Sequence, residues 1–341
     1  MTIKDIARQA HVSMMTVSNV INGKEGRVSK ETAELVRKII AENNYVPNYS
    51  ARSLSSNSSH IISIIVPYPL RPGDETIISD PYVSTMLGEI EMNLRENGYF
   101  AMIRSSNTMQ EIISMQKTWN ADGVIFILPN YDDFIEDLKT AINLPMVFID
   151  SSSSSSGILK VNVEDEKGTY LATKYLINMG HRKIAITVCP EGNKLLTKRY
   201  NGYRRALSEC DLPFDPSLVL PFSPDYRSGI NAGRHIAEDQ KTTGITAVVT
   251  TSDISAIGVM EGARLGGLRI PADLSVIGFD NLRTGSYVTP KLTTIDQHMK
   301  KKADAAVKLL LDSIKGITGP EGNSACFDVE LIERQSVLCL Q

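Results

Sequence analysis

Four side chains near the amino terminus have the residue types and the spacing needed to read the edges of DNA bases. Met14, Met15, Ser18 and Asn19 share one face of a predicted helix, while Val17 points to the other side. Asparagine can hydrogen-bond to both N6 and N7 of adenine, and an apolar side chain can contact the thymine methyl group. The pattern therefore predicts adenine at the base that Asn19 meets, and a thymine beside a methionine.

A helix-turn-helix must place this face against the major groove. Apolar residues recur at intervals of three and four over residues 3–10, and Thr2 stands at the N-cap of this first helix. After a tight turn, Ser13 can cap a second helix from Met14 to about Asn22. Such a turn sets the second helix across the first with its N-terminal residues projecting toward the bases.

A third predicted helix completes an N-terminal domain of residues 1–46. Ser29 is its expected N-cap, and Asn43 and Asn44 end it. Its inner face is expected to consist of Leu35, Val36, Ile39 and Ile40. A three-helix bundle that binds nothing is the structural alternative, but that alternative gives the exposed methionines no role.

From residue 60 onward, short apolar runs alternate with amphipathic helices. The expected strands are 60–67, 99–105, 123–128 and 145–150, then 160–163, 183–188, 245–251 and 274–279. The expected helices of the second set are 165–179, 194–210, 227–239 and 253–266. This alternation is typical of parallel sheets covered by helices on both faces, so it predicts two doubly wound α/β lobes. The six serines of residues 151–156 are interpreted as a solvated crossover between the lobes, in preference to a phosphorylation switch.

Composition indicates a soluble globular protein with one basic end. The chain has 341 residues, of which 42% are hydrophobic and 22% charged. Residues 1–58 hold eight Lys and Arg against five Asp and Glu, whereas the rest holds 28 against 34. A basic end on an acidic body suits phosphate contact at that end. The chain begins with the capped helix and shows no apolar export signal, so we expect a cytoplasmic protein without a membrane anchor.

The sequence shows no recognisable set of catalytic or metal-binding residues, so neither an enzyme nor a cofactor or metal site is expected. The four cysteines are widely spaced, which suggests neither a zinc site nor a disulfide framework. The five histidines include no H-x-x-x-H pair, and no nucleophile elbow, P-loop or dinucleotide fingerprint follows a strand. His181 is interpreted as a structural histidine rather than a general base. Gly258, Gly262 and Gly266 are interpreted as a small-residue stripe for close helix packing.

The chain resembles the lactose-repressor and galactose-repressor family of bacterial transcription regulators from Thr2 to about Ser336. Seven landmarks occur in that family's order: the helix-turn-helix, the 45–54 segment, 122–125, 180–185, 199–203, 278–281 and 292–297. The resemblance implies a regulator whose two-lobed core is periplasmic-binding-protein-like and is controlled by a small molecule. Two positions depart from the family, which usually has arginine in place of Asn19 and glycine in place of His11.

The resemblance also implies a hinge, residues 47–59, that folds as paired helices on the operator and inserts Leu54 into the minor groove. Off DNA, so short and serine-rich a segment is not expected to hold a helix. Alternatively, Leu54 caps the surface of the first lobe. The expected DNA-binding residues are Thr2, Ser13, Met14, Met15, Thr16, Ser18, Asn19, Asn22, Tyr45, Asn48, Ala51, Arg52 and Leu54.

A ligand site is expected between the lobes, because ligands of open α/β sheets bind outside the carboxyl ends of the strands. The resemblance implies that Asp150, Arg199 and Asp280 bind hydroxyls or similar polar groups, which suits a sugar. Asp253 stands at a strand end, although its place before a helix also fits a capping role. The full expected set is Tyr68, Asp80, Tyr82, Asp150, Arg199, Phe222, Asp253 and Asp280, with the tyrosines and Phe222 as stacking groups.

Several alternatives stay open at this point. Family members driven by a purine or by a phosphorylated protein partner leave those two effector classes possible beside a sugar. A solute-binding protein or a sugar-processing enzyme on the same fold is the alternative outside DNA binding. The stretch Tyr68–Ser79 is longer than in the family, and it either roofs the ligand cleft or forms a surface loop.

The expected core spans residues 60–341 and crosses between its lobes three times. Lobe 1 is expected at about 60–158 plus 295–324, and lobe 2 at about 159–294 plus 325–341. One N-terminal domain contacts too few bases for selectivity in a genome, so a homodimer on a near-palindromic operator is expected. The chain offers no C-terminal heptads of the kind that family tetramers use.

Overall fold

The computed structural model divides into two units, Met1–His60 and Ile61–Gln341. It describes residues 1–21, 23, 25–45, 58–66, 78–106, 108–127, 135–153, 155, 157–191, 193–317 and 324–340. The predictions for Asn22, Asn48, Ala51, Arg52, Leu54 and Tyr68, and for most of the hinge and of the Tyr68–Ser79 stretch, lie outside these residues. Within the described part of the chain, no helix is long and apolar enough to cross a membrane.

The described part of the first unit contains three α-helices, close to the bounds that the sequence pattern predicts. They are α1 (Ile3–Gln9), α2 (Met14–Ile21) and α3 (Lys30–Glu42). Thr2 caps α1 in a capping box, in which the Asp5 carboxylate accepts a hydrogen bond of 2.9 Å from the Thr2 backbone N–H. Ile6, Val17 and Val36, one from each helix, are fully buried and belong to one apolar core.

The inner face of α3 differs from the prediction at one position. Ala33, Val36 and Ile39 are buried, whereas Leu35 is 45% exposed. Neighbouring residues of an α-helix point about 100° apart, so Leu35 cannot share the narrow contact face that Val36 defines. The stripe drawn from the sequence was one residue too wide.

The turn between α1 and α2 contains a left-handed residue. His11 has a φ angle of 55°, a conformation that residues other than glycine adopt uncommonly. This is the position at which the resemblance implied glycine. The chain therefore keeps the helix-turn-helix geometry while placing an imidazole in the turn.

The first lobe of the second unit is built on a six-stranded parallel sheet. Its strands are β1 (Ile61–Val66), β2 (Phe100–Ser105), β3 (Gly123–Ile127), β4 (Met146–Ile149), β5 (Leu159–Val163) and β11 (Ser324–Phe327). They lie in the order β11-β5-β4-β3-β1-β2. Its helices are α4 (Pro81–Glu96), α5 (Met109–Trp119), α6 (Ile135–Ala141) and α11 (Met299–Ile314). Two apolar cores, one containing α4 and α11 and the other α5 and α6, hold the helices to the sheet.

The second lobe repeats this architecture. Its strands are β6 (Ile184–Thr187), β7 (Val219–Leu220), β8 (Ala247–Thr250), β9 (Ser275–Asp280), β10 (Thr293–Asp296) and β12 (Glu330–Ile332). They lie in the order β12-β10-β9-β8-β6-β7, and the pair of β10 with β12 is antiparallel. Its helices are α7 (Asp165–Asn178), α8 (Lys194–Glu209), α9 (Tyr226–Thr243) and α10 (Asp253–Leu265). The prediction of two doubly wound lobes is confirmed.

The expected position of the first crossover was wrong. β5 pairs with β4 and β11 in the first sheet, although the strand near 160–163 was expected in the second lobe. The serine run at 151–156 therefore lies between two strands of one sheet, and the chain crosses after Val163. Local alternation identifies a strand, but its neighbours are chosen by hydrogen bonds between segments distant in sequence.

The two later crossings also fall at different residues from those expected. β10 keeps residues 293–296 in the second sheet, and β11 keeps residues 324–327 in the first. Residues 325–341, expected in the second lobe, are divided between the sheets, because β11 ends at Phe327 in one sheet and β12 begins at Glu330 in the other. Helix α11 packs in the first lobe, where residues 295–324 were expected.

Glycines allow α9 and α10 to lie in close contact. A Cβ atom on Gly258 would collide with the carbonyl oxygen of Tyr226, and one on Gly262 would collide with that of Ile230. The small-residue stripe on α10 is thus a packing surface. It brings the backbones of the two helices together beneath the second sheet.

Gly262→Ala is expected to lower the free energy of unfolding by about 1–3 kcal/mol, because the added methyl group overpacks a backbone contact. Gly88→Ala on α4 is the matched control, since no atom lies within 4 Å of the place its Cβ would take. The control should raise stability by about 0.5–1 kcal/mol through helix propensity. Urea unfolding of the full chain measures both, and equal effects would contradict the packing account.

Candidate functional site

The face of α2 that is predicted to read bases is at least partly exposed. Met14 and Met15 are 56% and 74% exposed, and Ser18 and Asn19 are half-buried beside them. Ser13 is exposed at the start of the helix, where its hydroxyl accepts a hydrogen bond of 3.1 Å from the Thr16 backbone N–H. Two large, exposed apolar side chains next to the Asn19 amide can contact base edges in a groove.

Two other residues expected to bind DNA already have roles within the first unit. The Thr2 hydroxyl accepts from the Asp5 backbone N–H and donates to the Asp5 carboxylate. Tyr45 packs against the apolar core of this unit, and its backbone N–H donates to the carbonyl oxygen of Ile40 at 3.0 Å. Their contact with DNA stays a prediction, as does that of Asn22 and of the four hinge residues outside the described part of the chain.

A buried polar cluster lies where the two lobes meet. Its first-lobe half is formed by Tyr82 on α4, Asp150 after β4 and Lys302 on α11. The Lys302 ammonium lies 2.5 Å from Asp150 Oδ1 and 2.8 Å from the Tyr82 hydroxyl. The Tyr82 hydroxyl in turn donates to the other oxygen of Asp150. The side chains of Lys302 and Asp150 are 0% and 2% exposed, so this ion pair is removed from water.

Gln297 connects this half to the second lobe. Its amide oxygen accepts a hydrogen bond of 3.1 Å from Lys302, and its amide nitrogen donates to Asp280 at the end of β9. Asp280 also accepts from the backbone N–H of Asp253 at 3.2 Å. The Asp253 carboxylate accepts from the backbone N–H of Leu282 at 2.7 Å and from the Thr294 hydroxyl. A continuous series of hydrogen bonds therefore runs from α4 to α10.

Arg199 stands beside this series on α8. Its Nε donates to Asp165 at 2.9 Å and its Nη1 donates to the carbonyl oxygen of Thr251. The guanidinium carbon lies 3.7 Å from the centre of the Phe279 ring, a cation–π contact. Its Nη2 also lies 2.8 Å from Oδ1 of Asp165. Three of the five N–H donors of the guanidinium are therefore directed at these partners, and two remain for an incoming oxygen.

The backbone is strained at the carboxyl ends of two strands in this cluster. Asp150 has a φ angle of 62° and Asp280 one of 135°, and Asn281 follows at 57°. Left-handed conformations in residues other than glycine cost free energy and concentrate at functional sites. Here they turn the two carboxylates from the sheets into the polar cluster.

Burial raises the pKa of several groups in the cluster. The pKa of Asp253 is raised to about 6 by burial, which outweighs its hydrogen bond from Thr294. Burial, then the Asp253 charge, raises the pKa of Asp280. Burial also raises the pKa of Asp165, although Arg199 opposes the shift, and that of Tyr82, to which Asp150 adds. Because the cluster contains more carboxylates than cations, ionising all of its carboxyl groups at once is unfavourable.

The remaining predicted effector residues differ in their surroundings. The Asp80 carboxylate caps α4, accepting from the backbone N–H groups of Tyr82 and Val83 at 2.8 and 3.1 Å. The ring of Phe222 packs in the second lobe with its centre 6.1 Å from that of His235. Asp80 is buried next to the cluster, and its charge acts on Asp280. Phe222 is placed with the second-lobe core rather than in the hydrogen-bonded series.

Three members of the cluster were not singled out from the sequence: Lys302, Gln297 and Asp165. Gln297 ends one of the family landmarks, and Asp165 opens a predicted helix, where a carboxylate is ordinary. Lys302 carried a usable signal. It falls three residues after Met299 and four before Ala306, on the apolar face of α11, where a lysine without a partner would be costly.

Two histidines, His181 and His298, have polar partners outside the buried cluster. His181 is structural, with Nδ1 at 2.9 Å from the Thr246 hydroxyl, Nε2 at 3.0 Å from the Leu338 carbonyl oxygen, and a pKa lowered by burial. Asp296, His298 and Glu330 offer ligand atoms within 4.8 Å of one another. Asp296 lies 3.2 Å from Nδ1 of His298, and Glu330 lies 3.9 Å from its Nε2.

A helix-turn-helix unit and a two-lobed α/β core with a polar cluster at its junction define a DNA-binding regulator with a ligand-binding type of core. Comparison with known proteins agrees. Residues 2–48 match the family described as bacterial regulatory proteins, lacI family. Residues 173–337 match the periplasmic binding protein-like domain.

Similar proteins cover nearly the whole chain. The transcriptional repressor PurR of Vibrio atlanticus is 32% identical over 99% of this chain and 99% of its own. The lac repressor dimer bound to operator and the anti-inducer ONPF is 25% identical, with a TM-score of 0.84 and 99% of both chains covered. The complex of the regulator CelR with cellobiose is 25% identical, with a TM-score of 0.72 over 98% of this chain and 99% of that one.

The chain belongs to the LacI family of bacterial regulatory proteins. It is a DNA-binding transcriptional regulator and not an enzyme.

The raised pKa of Asp253 predicts a pH dependence of stability with an unusual sign for a carboxylate. Because the folded state holds the proton up to about pH 6 and the unfolded state loses it near pH 4, stability falls as the pH rises between these values. The loss amounts to about 3 kcal/mol for a shift of about two units. Urea unfolding at a series of pH values should show this slope in the wild type and a flatter one in Asp253→Asn. A wild-type stability that rises over this interval relative to the variant would contradict the assignment.

Proposed function

We propose that this regulator is a repressor whose affinity for its operator is controlled by a sugar bound between the two lobes. The observation that carries the proposal is the cluster of Asp150, Asp280 and Arg199 at the lobe junction. Carboxylates accept hydrogen bonds from neighbouring hydroxyls, and a guanidinium donates to adjacent oxygens, so together they suit a polyhydroxylated ligand. The similarity to a regulator solved with cellobiose supports the same class.

A purine is the second candidate, because PurR is among the similar proteins. Planar bases are held by stacking as well as by hydrogen bonds. The two described aromatic candidates have other contacts: the Tyr82 hydroxyl is bonded to Asp150 and Lys302, and Phe222 packs beside His235. The cluster offers carboxylates for hydroxyl groups rather than aromatic surface for stacking, which favours a sugar over a purine.

The proposed control is a linkage between ligand binding at the lobe junction and DNA binding by the N-terminal domain. A ligand changes DNA affinity only if it binds the arrangements of the lobes with different affinity. The polar cluster supplies such a difference, since its members come from both lobes and change their partners when a ligand enters. The hinge around Leu54 would transmit the difference to the N-terminal domain, because its helices would pair on the operator in one lobe arrangement and not in the other.

We further propose a homodimer that acts on a near-palindromic operator in the cytoplasm. β2 is an edge strand of the first sheet and exposes apolar side chains, with Phe100 at 54% and Ile103 at 41%. Exposed apolar residues on an open edge favour association with another chain. The lac repressor to which this chain is similar was solved as a dimer on its operator.

Asn19→Arg is expected to move base preference from adenine to guanine. Arginine pairs with O6 and N7 of guanine, and one such contact discriminates by about 1–3 kcal/mol. Selection from a random half-site library measures the preference of each protein. Arg8→Ala serves as control, since this exposed α1 residue lies outside the reading face and should leave the selected base unchanged. A wild-type preference for guanine would contradict the role given to Asn19.

Arg199→Ala is expected to abolish effector binding while operator binding persists. A thermal-shift screen of mono- and oligosaccharides, purines and phosphosugars identifies the ligand on the intact protein. Since the substitution strands a buried Asp165, the double variant Arg199→Ala with Asp165→Asn tests the same contact without an unpaired carboxylate. Arg205→Ala on the same helix is the control, because that side chain makes a half-exposed ion pair with Glu166.

Binding of a sugar by wild type and Arg205→Ala, with none by either Arg199 variant, supports the proposal. A sugar that binds all four proteins equally would place the ligand elsewhere. Stabilisation by purines alone would overturn the assignment of a sugar as effector, but not the conclusion that the protein is a DNA-binding regulator.

A further inference from the structure

We propose that Lys302 is a positioning residue that ties the two lobes together through its ammonium group. Any effector that uses Asp150 or the Tyr82 hydroxyl must then compete with this lysine for them. The proposal concerns the protein by itself and does not rest on the identity of the effector or of the operator.

The ammonium group is fully satisfied by its surroundings. Lysine has three N–H donors, and those of Lys302 are directed at Asp150, Tyr82 and Gln297. The residue is 0% exposed. A buried ammonium with all three donors engaged is not hydrated by water. Its charge is therefore tolerated only while its three acceptors stay in place.

The acceptors come from elements that are far apart in the chain. Tyr82 lies 220 residues from Lys302 and Asp150 lies 152 residues from it. Both belong to the first lobe. Gln297 lies on the segment between β10 of the second sheet and α11 of the first lobe, and its amide passes the connection on to Asp280 of β9. Lys302 is therefore the point at which the first-lobe acceptors join the second lobe.

Apolar packing at the same junction agrees with a close approach of the lobes. Leu282, which follows β9 of the second sheet, is 2% exposed and belongs to the apolar core that contains α4 and α11. Its backbone N–H donates to Asp253. Opening of the lobes would expose this leucine and leave the Asp253 and Leu282 amides accessible to solvent.

The hydrogen bonds of Lys302 also limit which effector groups can bind to Asp150. Asp150 has both carboxylate oxygens engaged, by Lys302 and by Tyr82. An effector hydroxyl that bonds to Asp150 displaces one of these donors and leaves it to find another acceptor. Effector groups that compensate Lys302, such as a ring oxygen or a hydroxyl oxygen, would be selected over groups that do not.

Amide hydrogen exchange of the purified full chain, read by mass spectrometry, tests the tie. Lys302→Met removes the ammonium, and Gln297→Leu cuts the connection to Asp280 while keeping the ion pair. Both variants are expected to exchange at least tenfold faster in peptides that cover residues 251–255 and 279–284. Peptides covering β6, residues 184–187, lie in the same lobe away from the junction and should exchange as in wild type.

Lys308→Met is the matched control, since this lysine is on the same helix with a 77% exposed side chain that pairs with Asp312. It should leave both regions unchanged. Unaltered exchange at 251–255 and 279–284 in Lys302→Met and Gln297→Leu would overturn the proposal. Equal acceleration of the β6 peptides would also overturn it, because Lys302 would then stabilise the whole fold rather than join the lobes. If Lys302→Met does not fold, Gln297→Leu decides the question by the same two criteria.

Discussion

The arrangement of this regulator's core depends on one buried ion pair, between Lys302 and Asp150. Two charges taken out of water lose hydration, and their attraction offsets that loss only when the remaining donors and acceptors are also satisfied. Tyr82 and Gln297 meet that condition here. Because Gln297 also bonds to Asp280, the requirement to satisfy one ammonium extends across the junction of the lobes. A polar network of this kind has few alternative arrangements, which suits the proposed switch between two arrangements of the lobes.

The same constraint explains the strained backbone at the strand ends. Asp150 and Asp280 take left-handed conformations that carboxylate side chains adopt more readily than most others. Each is held there by its side-chain partners. Arg199 is fixed in a comparable way by Asp165 and the face of Phe279, so its orientation toward the junction is set before any ligand arrives. Preorganised donors and acceptors of this type lose little entropy on binding.

Much of the fold could be predicted from the sequence, because helix and strand periodicities are local. The bounds of α7, α8 and α10 and of most strands fall within a residue or two of the expectation, and the caps of α1 and α3 were read from Thr2 and Ser29. The partner of β5 was not predictable in this way. Its pairing with β4 and β11 is a choice among distant segments, and the serine run before it gave a misleading indication of a lobe boundary.

The candidate site was predictable only in part for the same reason. Strand ends and the family resemblance pointed to Asp150, Arg199 and Asp280, and the structure brings these to one junction. Lys302 could be noticed as a lysine on an apolar helix face, but its meaning depends on Asp150, which lies 152 residues away. Phe222, predicted as a stacking aromatic, packs with the core of its own lobe, because residue type alone does not fix which way a side chain points.

The most direct test of this account is a double-mutant cycle between Asp150 of the first lobe and Asp280 of the second, read as free energy of unfolding. The two carboxylates are joined only through Lys302 and Gln297 among the described hydrogen bonds. If the network is continuous, Asp150→Asn and Asp280→Asn should be non-additive, with a coupling free energy of about 0.5–3 kcal/mol. Additive effects, within about 0.3–0.5 kcal/mol, would show that the two halves of the cluster act independently and would contradict the account.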